Sequence, residues 1–253
     1  MCHRKLSRYR QKYINFEGYR TTGPFKKLSM IYWLPILTVL VGYILVLWLK
    51  PKKNLGVTLL LAFSGSFLLA TTLFELLPSV YAVSTAKEIG LYIMLGIVLQ
   101  IFLEFFSKGA EHGHMHFDEE KTIFPWLLFL SLSVHAFLEG VPISENEPIL
   151  YAIIIHKLPV ALILSIFLVS SRIPYWQSSL FMVSFSLMTP LGTYAAQSGF
   201  GIERYYVPLT AVVIGVFLHI STVILFESSK GHSFNLRKLL VILLGLFAAY
   251  LIF

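Results

Sequence analysis

Apolar runs of about 20 residues recur along nearly the whole chain after residue 30, and that repetition leaves few folds open. As a helix, a run of that length spans the roughly 30 Å hydrocarbon core of a bilayer. Hydrocarbon offers no water to backbone N–H and C=O groups, so each run must satisfy its own, and an α-helix does so. The pattern predicts spans at 30–49, 55–77, 89–107, 123–143, 148–170, 177–199, 204–227 and 237–253. The expected fold class is therefore all-α: a polytopic membrane protein with eight transmembrane helices. A composition of 57% hydrophobic and 13% charged residues excludes a soluble domain, and no long hydrophilic block exists to form a separate one. Prolines 51, 125, 148, 174 and 208 fall near predicted helix ends, where proline costs little.

The net charge of +7 does not point to nucleic acid, because the basic residues sit in a tail and in short loops. Anionic lipid headgroups and topology setting account for them better. Residues 1–29 carry eight Lys or Arg and one acid, Glu17, without a signal-peptide cleavage pattern. Met30 stands directly before the first apolar run. Two readings of 1–29 therefore stand, a basic N-terminal tail or an over-extended start, ahead of an eight-helix domain at 30–253. The odd-numbered loops hold nine Lys or Arg and the even-numbered loops two, Lys87 and Arg204. The positive-inside rule then puts the odd loops in the cytoplasm and both termini outside, in a plasma or inner membrane. The basic tail alone votes the other way. The single cysteine, Cys2, excludes an intramolecular disulfide and a Cys-rich metal cluster.

Against this apolar background, Ser131 to Pro159 carries His135, Glu139, His156 and Lys157. A central Asp or Lys costs roughly 2.5–3.5 kcal/mol on insertion, so such groups survive where they pair, line a watery path or bind something. His135 and Glu139 are four apart and share a helix face. His156 lies eight residues after its span begins near Pro148, and His135 eight before its span ends near Ile143. A short loop, Ser144 to Glu147, makes the two helices antiparallel and brings both histidines to one depth. Pro142 and Pro159 are each expected to free a carbonyl one turn back, near Leu138 and Ile155. Two imidazoles and a carboxylate form a ligand set for zinc or neighbouring divalent metals, between helices 4 and 5. The competing reading is a His–Glu hydrogen bond that only locks the two helices together.

Other polar residues fall in a vertical series. Glu75 lies one turn before Pro78 at the outer end of the second helix, and His219 lies fifteen residues into the seventh. Glu104 marks the cytoplasmic end of the third helix. The third loop, 108–122, reads EHGHMHFDEE at its centre, and its His112, His114 and His116 make it metal-attracting by composition.

These segments resemble the ZIP (Zrt/Irt-like) family of divalent metal transporters. VHAFLEG in the fourth helix looks like the family's H-N/S-x-x-D/E-G signature, and IHKLP in the fifth looks like H-x-x-P. FLLATTLFELLP, LGIVLQIFLEFF with its His-rich loop, MTPLG and GVFLHISTVILFESSKGH agree, so the resemblance covers roughly 55–253. It implies eight helices, both termini outside, a metal site between helices four and five, and movement of zinc, iron or another divalent ion into the cytoplasm. Many members have a second adjacent site; here its positions hold Ala136, Lys157 and Val160. One branch of the family shares the H-K form with an apolar residue at the Val160 position. Two divalent ions a few ångströms apart need several carboxylates, and only Glu139 lies at that depth. One site is expected, with Lys157 as a tethered stand-in for a second ion.

The function expected is a zinc transporter, not an enzyme, in which zinc is the substrate and Fe2+, Mn2+ or Cd2+ are other acceptable ions. Its partners are divalent ions and the lipid bilayer, with no nucleic acid, and its oligomeric state is left open, a homodimer being one option. Two alternatives use the same ligands: a membrane protein that senses or structurally binds zinc without moving it, and an intramembrane metalloenzyme that activates water.

Overall fold

A computed structural model describes residues 25–49, 55–107, 124–144, 147–198, 202–227 and 236–253. Eight helical rods follow one another, with no strand among the described residues. They are α1 (Phe25–Leu49), α2 (Leu55–Thr71, a π-helical turn Thr72–Leu76, then Leu77–Tyr81) and α3 (Ala86–Ser107). Next come α4 (Trp126–Gly140, closed by a 3-10 turn Val141–Ser144), α5 (Glu147–Ser170) and α6 (Tyr175–Gln197). The chain finishes with α7 (Tyr206–Glu227) and α8 (Leu236–Ile252). Residues 1–24 and the histidines at 112, 114 and 116 lie outside the described residues.

The eight rods coincide with the eight predicted spans, and six are long and apolar enough to cross a bilayer by composition alone. The other two have identifiable reasons for falling short. Helix α6 devotes Ser178, Ser186, Thr189 and Thr193 to a buried face, and α8 is only 17 residues long. Outward faces are greasy: Trp48 is 81% exposed, Phe105 77% and Phe226 77%, which suits lipid and not water. The protein is an integral membrane protein.

Helix ends depart from expectation in two places. The second span does not stop before Pro78 but runs on to Tyr81. The π turn explains this: Leu77 N–H bonds to Thr72 O, one residue further back than in an α-helix, and the widened turn accommodates the proline ring. At the end of α4, the Leu138 carbonyl expected to be freed by Pro142 instead accepts the Val141 N–H, because the chain tightens into a 3-10 turn.

Packing sets α1 against α5 and α6, α2 against α8, α5 and α7, α3 against α7 and α4, and α4 against α6. Lipid tails are as apolar as leucine, so helices in a bilayer associate through close contact and hydrogen bonds. The α4–α6 contact shows both. Thr189 Oγ1 donates to Ala136 O at 2.9 Å and Thr193 Oγ1 to Gly140 O at 2.9 Å. Gly192 allows the crossing, since a Cβ there would overlap the Phe137 carbonyl. Phe181, Phe185, Leu132, Ile153 and Phe217 fill the interior.

Gly192→Val should therefore cost about 1–3 kcal/mol by overpacking, whereas Thr193→Val, which removes one hydroxyl, should cost about 0.6 kcal/mol. Thermal midpoints of the detergent-solubilised variants check this. A Gly192→Val protein that melts with the wild type would mean that α4 and α6 do not cross at this glycine.

Candidate metal site

Helix α4 buries Leu128, Ser131, Leu132, His135, Ala136, Glu139 and Gly140 along one broad face. His135 and Glu139 are one turn apart there, and the helix brings His135 Nε2 to 2.9 Å from Glu139 Oε1. Helix α5 returns antiparallel after the 3-10 turn. Pro159 lies within it, yet the helix continues to Ser170. His156 and Lys157 thereby face α4 at the depth of His135 and Glu139.

The four side chains are 1–3% exposed, so water contributes almost nothing to their solvation. One ligand atom each from His135, Glu139 and His156 lies within 4.8 Å of the others. The two carboxylate oxygens are divided: Oε1 meets the His135 ring, and Oε2 accepts from Lys157 Nζ at 2.5 Å. Lys157 Nζ also lies 5.3 Å from the centre of the Phe185 ring of α6, a cation–π contact. With Nε2–H donated to Glu139, His135 keeps a lone pair on Nδ1, which has no hydrogen-bond partner among the described residues. Two imidazoles and a carboxylate would leave a tetrahedral ion one further position for water, unlike a closed four-ligand cage.

The neighbouring positions bear on the number of ions. Val160, one turn after His156, is buried and apolar. Ala136 offers no side-chain ligand, and its carbonyl is occupied by Thr189. The chain thus brings one carboxylate and one ammonium where two divalent ions would need more negative charge.

The remaining predicted residues lie elsewhere. Glu104 Oε2 of α3 meets His219 Nε2 of α7 at 2.7 Å, with both side chains partly exposed. Glu75 sits half-buried inside the π turn of α2. Sequence reasoning missed Phe185, whose approach to Lys157 leaves no mark in residue spacing. It also missed Gln100, a fully buried amide whose signal was present as the one amide in the run LGIVLQIFLEFF.

Residues 108–252, more than half of the chain, match the family model described as ZIP zinc transporter. The chain belongs to the ZIP zinc transporter family. The match takes in α4 to α8 and so both site helices. Among relatives, protein zntD of Dictyostelium discoideum is 28% identical over 54% of this chain and 24% of its own length. Zinc transporter ZIP1 of Takifugu rubripes is 30% identical over 54% of this chain and 49% of its own. Zinc transporter ZIP1 of Danio rerio is 35% identical over 33% of this chain and 30% of its own. The matched stretch spans 24–49% of the length of these relatives.

The shared carboxylate makes a prediction that needs no metal. Glu139→Gln strands the Lys157 ammonium in the interior and should cost about 3–5 kcal/mol. The double variant Glu139→Gln/Lys157→Met should recover most of that loss. If its thermal midpoint stays as low as that of the single variant, Lys157 is not compensated by Glu139.

Proposed function

We propose that the chain transports zinc, or a related divalent ion such as Fe2+, Mn2+ or Cd2+, into the cytoplasm through one intramembrane site. The observation that carries this reading is the buried cluster of His135, Glu139 and His156, gathered from two helices in a family of zinc transporters. Residues 30–253 act as one transporter domain, with both termini outside and the 108–122 loop in the cytoplasm, on the strength of the loop charges.

The ion is the substrate. It collects near Glu75, sheds most of its water and exchanges hydration for two imidazoles and the Glu139 carboxylate. Losing hydration is costly, and a carboxylate in a dry site offsets it more strongly than one in water. Glu139 has two oxygens and so two cation positions. Lys157 holds Oε2, which leaves Oε1 and the imidazoles to one divalent ion. The tethered ammonium does the work of a second ion without being transported. Alternating access then turns the site towards the cytoplasm. The ion leaves past Glu104 and His219 to the loop histidines His112, His114 and His116.

A second reading, zinc binding without transport, is favoured by the apolar Val160 and by the Lys157–Glu139 pair, which could simply hold α4 and α5 together. Zinc flux into liposomes carrying the purified protein separates the two, because only a transporter fills the lumen.

His135→Ala and His156→Ala should each abolish radiolabelled zinc uptake in expressing cells while leaving the amount of protein in the membrane unchanged. Normal uptake by either variant removes that histidine from the site. Lys157→Ala should change zinc affinity, since Glu139 Oε2 then loses the ammonium that occupies it. Identical zinc affinities in wild type and variant would discard the role of the lysine.

A further inference from the structure

Gln100 of α3 is completely buried, and neither its Oε1 nor its Nε2 has a hydrogen-bond partner among the described residues. A buried amide left unmet costs about 1–3 kcal/mol, and a leucine would fill the same space without that cost. Its position relates it to the metal cluster. Ser131 Oγ of α4 donates to Leu103 O of α3 at 2.6 Å and pins the register of the two antiparallel helices. From that bond Gln100 lies three residues back along α3 and His135 four residues on along α4, in the same direction. Those steps amount to about 4.5 and 6 Å. Gln100 and His135 therefore share a depth.

The other side of Gln100 leads to α7. A Cβ on Gly96 would overlap the Val212 carbonyl, so the α3 and α7 backbones touch one turn before Gln100. One turn after it on the same face stands Glu104, bound to His219 of α7. Gln100 thus lies on the Gly96–Glu104 line turned to α7, three residues from the Leu103 carbonyl that meets α4.

We infer that Gln100 is a transfer ligand of the ion path: its amide oxygen takes the cation leaving His135, Glu139 and His156 and passes it towards Glu104 and His219. An uncharged amide oxygen suits this task, because it coordinates a divalent ion more weakly than imidazole or carboxylate and so does not trap it. The inference rests on the transport reading above.

Gln100→Leu and Gln100→Met, made in the full chain and reconstituted in liposomes, test it with zinc as the probe. Both variants should melt at or above the wild-type temperature, since an unmet amide is removed. Their maximal zinc flux should fall about tenfold, with the half-saturating zinc concentration little changed because capture occurs upstream. Wild-type flux in both variants overturns the inference alone. A lower melting temperature in both also overturns it, since the amide would then be holding the fold. Absence of zinc flux from the wild-type liposomes overturns the transport reading and this inference with it.

Discussion

A carboxylate cannot stand alone inside a lipid-embedded bundle, and most of the interior follows from how Glu139 is compensated. Its two oxygens reach a histidine on its own helix and a lysine on the next. The pairing ties α4 to α5 across the 3-10 turn. It also sets His156 beside the same carboxylate, because His156 is the residue before Lys157. A charge balance that keeps the hairpin together therefore also assembles a ligand set. In water such pairs contribute little; at 2% exposure, removing either partner would leave an uncompensated ion.

Holding that cluster in place falls to contacts that are neither charged nor hydrophobic. Two threonines of α6 donate to carbonyls of α4 on either side of the site, and glycine lets the backbones meet between them. The Ser131 bond to Leu103 does the same for α3. Without a hydrophobic drive between helices, such hydroxyl bonds and close approaches decide orientation. They place α3 and α6 on two sides of α4, and α6 supplies Phe185 over the lysine.

Much of this was legible in residue order. Eight spans follow from apolar length because the bilayer imposes it. His135 and Glu139 follow from helical spacing, and His156 from its matching distance to the hairpin. The misreadings came from backbone detail. Proline at 78 was read as an ending, but a π turn let α2 pass it. Proline at 142 was read as freeing a carbonyl, but a tighter turn gave that carbonyl a partner. Both outcomes turn on which carbonyl an N–H selects, and residue type does not dictate that choice.

Residue order by itself determined the membrane class, the number of helices and the three candidate ligands, since each depends on a repeat length or on spacing along one helix or one hairpin. Tertiary structure alone decided that Lys157 takes one oxygen of Glu139 beneath Phe185, that Glu104 meets His219, and that Gln100 is buried at the depth of His135 without a hydrogen-bond partner among the described residues. Those relations join different helices, in the case of Glu104 and His219 across 115 residues. They depend on rotation and register between rods, which close contacts at small residues select and which no periodicity along a single rod encodes.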